Sequence, residues 1–237
     1  MLSVREGKMG NMMVGRMFTD LMTESKLYTE EKDGNYFLEG IFMQGDVLNN
    51  NKRVYPTNIL SEAIEEYNKD YVEKKTGWGH LGHPDSPKID LNEVAILTTS
   101  IITKGNDFYG KAKVCHEDCP KGKILRGLIK TGGNVGVSSR GLGTANKTNW
   151  QEEECNMVET FVLRAIDVVA DPSAPDAMVR AIQEEKTYIL DDSGDVMELN
   201  EENYRRFESK LSGLPVKQER KNEVVFDAIK NFLNNLK

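Results

Sequence analysis

Residues 136–143 read Gly136-Val137-Ser138-Ser139-Arg140-Gly141-Leu142-Gly143. Small residues bracket two hydroxyls in a strand-like run, Val135 to Gly143, where another backbone could come close to a serine. Downstream, Met157 to Val169 alternates with Glu159, Phe161, Leu163, Ala165 and Asp167 on one face, and Pro172 and Pro175 close the segment. Upstream, Lys121 to Lys130 carries Ile124, Leu125, Leu128 and Ile129 at helical spacing and stops at Gly132-Gly133. Before that helix, Val94 to Thr103 and Tyr109 to Val114 flank Gly105-Asn106-Asp107, the pattern of a hairpin. Tyr36 to Met43 reads as a further strand. Pro56 opens a helix over Thr57 to Val72, with Ile59, Leu60, Ala63, Ile64 and Tyr67 on its apolar face. Five or more strands around two helices predict an α+β fold, a compact β-barrel surrounded by helices.

The ordered domain is expected over 35–181. Residues 1–34, Met-rich and then charged, read as a loosely held arm or pro-segment with one helical turn around Phe18 to Met22. From 182 to 222 the acidic run that includes Glu184, Glu185, Asp191, Asp192 and Glu201 reads as a linker. Residues 223–237 place Val225, Ile229, Phe232, Leu233 and Leu236 on one face of an amphipathic helix.

The 237 residues hold 31 Lys+Arg against 38 Asp+Glu, a net charge of −7. That balance argues against direct nucleic-acid binding, which wants a cationic face. No apolar run approaches the roughly 18 to 20 residues of a membrane span, so a soluble globular protein is expected and no membrane partner. Gly7, Gly10 and Gly15, with Arg5, Lys8 and Arg16, interrupt any secretory h-region, and three cysteines imply no disulfide framework. A reducing cytoplasm is the expected setting.

Three features carry candidate chemistry. Two of the three histidines, His80 and His83, fall in the loop Gly77-Trp78-Gly79-His80-Leu81-Gly82-His83-Pro84, where a histidine suits general-base work. The plain alternative is a solvated surface histidine. A serine such as Ser138 or Ser139 becomes nucleophilic only with an imidazole in reach, a third group orienting that imidazole, and N–H donors for the oxyanion; otherwise the stretch is a glycine-flanked bend. Asp167, embedded in an apolar strand, needs a partner, either a structural arginine or an imidazole. Cys115-His116-Glu117-Asp118-Cys119 with Cys155 lacks the second ligand cluster of a zinc site, so neither metal nor cofactor is expected.

In the order His, Ser, acidic residue, these pieces resemble the prohead core proteases of T-even-type tailed bacteriophages, serine endopeptidases whose barrel is related to herpesvirus assembly proteases. The resemblance also rests on residues 39–56, with the NxNxR-x-YP pattern at Asn49, Asn51, Arg53, Tyr55 and Pro56, on Lys104 to Gly110, and on Pro172-Ser173-Ala174-Pro175-Asp176-Ala177. It spans about 36–178. It implies His83 as general base, Ser138 as nucleophile and Asp167 as third member, with Glu159 as the alternative third member. His80 takes a position where the family pattern allows an acidic residue, which sets it apart from the base. Ser139 and Arg140 are candidates for oxyanion or substrate contacts, and Arg140 equally for a structural ion pair. The resemblance further implies cleavage after Leu/Ile-x-Glu of the major capsid protein, of scaffold and core proteins, and of the chain itself, inside the prohead in the host cytoplasm, with self-association in the core. Ile182-Gln183-Glu184 and Leu199-Asn200-Glu201 are self-cleavage candidates, although Leu60-Ser61-Glu62 and Leu91-Asn92-Glu93 fit the same short pattern. The competing reading is a catalytically inactive structural component of the prohead core.

Overall fold

The structure, a computed structural model, describes residues 13–21, 28–32, 34–84, 86–169, 187–190 and 196–198. The chain divides into two compact units, Arg16–Glu185 and a second made of Met1–Gly15 with Lys186–Lys237.

In the larger unit, β2 (Tyr28–Lys32), β3 (Asn35–Gln44), β7 (Asp107–Val114), β6 (Val94–Lys104) and β5 (Trp78–His80) form one sheet in that order, every neighbour antiparallel. The second sheet runs from β1 (Met13–Leu21) through β8 (Gly136–Trp150) and β9 (Glu153–Val169) to the short parallel strand β4 (Arg53–Val54). Both orders are open, so no described sheet closes into a barrel; the mixed α+β class stands, with sheets dominating. The sheets meet where Leu81 bridges Val168 and the Gly82 N–H donates to the Val168 carbonyl at 2.7 Å.

Helix α1 (Thr57–Tyr67) buries Leu60, Ala63, Ile64 and Tyr67 at the predicted spacing and packs on β9. Its N-terminus is tied to the Asp46 carboxylate, which accepts the Thr57 backbone N–H at 3.3 Å and the Thr57 hydroxyl at 2.6 Å. The predicted last turn, Asn68–Val72, widens into a π-helical turn. Helix α2 (Pro120–Lys130) starts on proline, as N-termini favour, and Arg126 ties it to the Cys115 and Gly34 carbonyls.

Several elements depart from the expectations. Within the turn of helix expected around Phe18 to Met22, Phe18–Leu21 belong instead to β1, whose residues Arg16–Leu21 pair with Gly143–Ser138; a single helical turn is costly to nucleate, whereas an edge of β8 offers a full ladder. Strands β8 and β9 extend far beyond the predicted runs, because the ladder continues over the exposed Asn146–Asn149 to a tight turn at Gln151 and Glu152. Two bulges also break the alternation read for β9. Register passes from Ala165 opposite Arg140 to Leu163 opposite Gly141, and from Thr160 opposite Thr144 to Val158 opposite Ala145, leaving Arg164 and Glu159 unopposed. Each extra residue flips the faces beyond it, so Ala165 and Asp167 share one face while Leu163 and Phe161 lie on the other. In the smaller unit, β10 (Thr187–Leu190) and β11 (Val196–Glu198) pair antiparallel within the stretch read as acidic linker. Glu184, Glu201 and the helix expected over 223–237 lie outside the described residues.

Candidate active site

Ser138 stands directly opposite Asp167 in the β8–β9 ladder. Cross-strand partners share a face, so Ser138, Asp167 and, two residues along, Arg140 all project to the same side of the sheet. Ser139 projects to the other.

Asp167 is fully buried. Its carboxylate accepts the His80 backbone N–H at 2.9 Å and a bidentate pair of donors from Arg140, Nε at 2.7 Å and Nη2 at 3.1 Å. His83 Nδ1 lies 3.5 Å from Oδ2, its side chain 27% exposed. Burial by itself would raise the Asp167 pKa; the His83 contact, the Arg140 charge and hydrogen bonds, and the His80 N–H outweigh it and bring the value down to about 2. Asp167 is therefore an ionised acceptor throughout the physiological range.

Two glycines explain how the histidine loop reaches it. A Cβ on Gly79 would sit 1.8 Å from the Ile166 carbonyl oxygen, so only glycine lets β5 press against β9 there. Gly82 then turns the chain at φ 89°, a conformation that favours glycine, and delivers His83 to Asp167.

Arg140 is itself fully buried, and its Nη1 donates to the carbonyls of Ser86 and Lys88 at 2.9 and 3.0 Å. The side chain binds Asp167 with one edge and the loop after His83 with the other. The Arg140 side-chain donors are thus engaged within the protein, which favours the structural ion pair over a side-chain contact with substrate. Ser139, 2% exposed, and Arg140 both lie in the middle strand between β1 and β9, so their backbone N–H groups face a neighbouring strand on either side. Glu159, the alternative third member, is an exposed bulged residue of β9 engaged by Asn146, eight residues along the strand from Asp167, and it is Asp167 that meets His83. His80 pins the loop: its Nε2 accepts the Asp90 N–H at 3.0 Å, and burial, followed by the Arg140 charge, lowers its pKa. That contact leaves the proton on Nδ1, the inferred tautomer of a neutral ring. Cys119 donates to the Val94 carbonyl, and no group of three or more metal-ligating side chains gathers among the described residues.

The Ser138 hydroxyl is fully buried and donates to the Asp20 carbonyl at 2.9 Å, with the Ser139 carbonyl at 3.5 Å and no hydrogen bond to His83. Asp20 comes from β1, a segment read as a loose arm. Its side chain is held by Asn49 and Asn51, each at 2.8 Å, by Arg53 through Nε and Nη2 at 3.0–3.1 Å, and by the Tyr55 hydroxyl. Burial would raise the Asp20 pKa, but the Arg53 charge and these donors hold it below the ordinary carboxylate value. The residues that sequence reasoning left without a role are thus the polar positions of the NxNxR-x-YP pattern; their signal was the concentration of donors in one short loop.

Residues 4–187 match the family described as prohead core protein serine protease. The prohead core protein protease of Enterobacteria phage T4 is 42% identical over 162 residues, covering 67% of this chain and 76% of that protein. The solved structure of the bacteriophage T4 capsid assembly protease superposes with a TM-score of 0.55 at 32% identity, over 68% of this chain and 98% of that one. A histidine and a serine converging on one buried aspartate, within a match that spans most of the sequence, identify this chain as a member of the prohead core protein serine protease family.

Proposed function

We propose that the chain is a serine endopeptidase that matures the prohead by cutting capsid and scaffold proteins, and itself, after Leu/Ile-x-Glu. His83 is the general base, Ser138 the nucleophile and Asp167 the group that orients the imidazole. The observation that carries this reading is Asp167: it meets His83 at Nδ1 and stands across the ladder from Ser138. With Nδ1–H directed at an ionised carboxylate, Nε2 is left unprotonated to accept a proton. His83 removes the Ser138 proton as the hydroxyl attacks a peptide carbonyl, then returns it to the leaving amine. Water, activated the same way, releases the acyl-enzyme. Arg140 and the His80 N–H hold Asp167 charged and oriented, and Arg140 fixes the loop that bears His83. An oxyanion donor from Ser139 or Arg140 requires the backbone beside β8 to carry substrate.

The two sheets, joined at Leu81 and Val168, are in this reading the counterpart of the assemblin-like barrel. The acidic linker 182–222, with Glu184 and Glu201 as cut sites, and the helix 223–237 are the parts removed on maturation. The substrates place the enzyme in the prohead interior, where it self-associates in the core. Proheads assembled with Ser138→Ala or His83→Ala chains are expected to accumulate uncut capsid and scaffold proteins. Normal processing by either variant would favour the inactive structural component instead.

A further inference from the structure

Cys115 and Cys119 flank the turn that leads from β7 into α2, away from the residues assigned to proteolysis. The chain reverses between them, the Cys119 N–H donating to the His116 carbonyl at 2.9 Å. Both cysteines grip successive carbonyls of β6: the Cys115 N–H donates to Ala95 at 2.8 Å and the Cys119 thiol to Val94 at 2.9 Å. The first turn of α2 presses on Cys115, since a Cβ on Gly122 would lie 2.6 Å from the Cys115 carbonyl oxygen and 2.8 Å from its Cβ. Arg126 Nε donates to the same carbonyl at 2.8 Å, and the Cys119 carbonyl accepts the Lys123 N–H of α2 at 2.9 Å.

A strand, a turn and a helix start thus hold the two thiols as neighbours on a rigid frame. Their nearness is felt at Cys115, whose thiol is pushed up to about 11, by burial first and then by the charge and hydrogen bonding of Cys119. Both side chains are half-buried and so within reach of a small reagent, whereas Cys155 is buried.

We propose that Cys115 and Cys119 are a dithiol site that closes to a disulfide on meeting a low-molecular-weight disulfide of the glutathione class. Cys119 gives up its proton and attacks one sulfur of the reagent. A Cys119–glutathione bond forms, the reagent's own S–S bond breaks, and the first glutathione leaves with that proton. Cys115 then gives up its proton and attacks the Cys119 sulfur, forming the Cys115–Cys119 bond and expelling the second glutathione, which takes the proton. Two cysteine thiols are oxidised and one glutathione disulfide is reduced to two thiols. Cys119 enters first because burial keeps Cys115 in the less reactive thiol form. The second step joins groups already held in place, so it outruns the first. Closure exchanges the Cys119 hydrogen bond on Val94, which stands opposite His80 in the β5–β6 ladder, for a covalent tie between the end of β7 and the start of α2. The site does not depend on the protease reading.

The test treats the folded full chain with excess glutathione disulfide, quenches with acid, alkylates the remaining thiols after unfolding and maps tryptic peptides by mass spectrometry. Residues 114–121 form one such peptide and hold both cysteines. In the wild-type chain it should escape alkylation and weigh about 2 Da less than its dithiol form, with Cys155 still alkylated. In Cys115→Ser the glutathione adduct on Cys119 should persist, and in Cys119→Ser an adduct on Cys115 should form at least about tenfold more slowly. Phenylarsine oxide, which needs two thiols on one arsenic, should bind once per wild-type chain and shield both cysteines of this peptide from alkylation. The cross-link and the arsenical need no substitution and decide the matter if a variant does not fold. Glutathione adducts that persist on the wild-type chain, a cross-link to Cys155, or a peptide whose thiols both stay free would overturn the dithiol site. An adduct that forms faster in Cys119→Ser than in Cys115→Ser would overturn the order of attack.

Discussion

Replacing Arg140 by methionine isolates the clamp between Asp167 and the histidine loop. The side chain keeps its length but loses four hydrogen bonds, two to the Asp167 carboxylate and one each to the Ser86 and Lys88 carbonyls. In the native chain the fall of the Asp167 pKa from its ordinary 3.8 to about 2 corresponds to about 2 kcal/mol of stability. A carboxylate whose folded pKa is depressed stabilises above its unfolded value and loses that contribution as pH drops through the folded one. The contribution is therefore complete at pH 7 and fades between about pH 4 and pH 2. In Arg140→Met the carboxylate stays buried without its counter-charge, so the total loss at pH 7 should reach about 3 to 5 kcal/mol. The gap between variant and wild type should narrow by about 2 kcal/mol on acidification, because protonated Asp167 no longer needs the arginine. Urea unfolding across pH 7 to pH 3, repeated for Arg140→Met with Asp167→Asn, measures both quantities. A loss below about 1 kcal/mol, or a gap that ignores pH, would refute the clamp.

Other consequences are local. Gly79→Ala forces a Cβ to within 1.8 Å of the Ile166 carbonyl; thermal unfolding should show a loss of about 3 kcal/mol or more, and kcat should fall with it because His83 moves away from Asp167. The β8–β9 turn carries Gln151 at φ 50° and Glu152 at φ 70°, left-handed conformations in non-glycine residues. Gln151→Asn with Glu152→Gly supplies the residues such two-residue turns prefer, and should raise stability by about 1 kcal/mol with cleavage unchanged; a drop would show that the turn is not of this kind.

Much of the framework could be read from local pattern. The α1 face of Leu60, Ala63, Ile64 and Tyr67, the β6–β7 hairpin and the start of α2 at Pro120 each follow from spacing and capping that neighbouring residues settle among themselves. What the sequence hid depends on distant partners. The bulges at Arg164 and Glu159 carry no local signal, yet they split a set of residues that alternation put on one face, and so Glu159 looked equivalent to Asp167. The strand at Arg16–Leu21 is stable only because the edge of β8 accepts it and Arg53 neutralises Asp20, a contact 33 residues away along the chain. Gly79 is legible as a glycine in a loop, but not as the point where β5 touches β9. For the candidate site, the motifs alone point to His83, Ser138 and Asp167, whereas the burial of Arg140 against Asp167 needed the register of β8 on β9.

The central claim is that Ser138 is a nucleophile activated by His83. Peptide mapping by mass spectrometry after fluorophosphonate treatment tests it most directly, on the wild-type and His83→Ala chains. The account predicts an adduct on Ser138 when His83 is present and none above background without the imidazole. An adduct on Ser139, or labelling of Ser138 that is indifferent to His83, would contradict it.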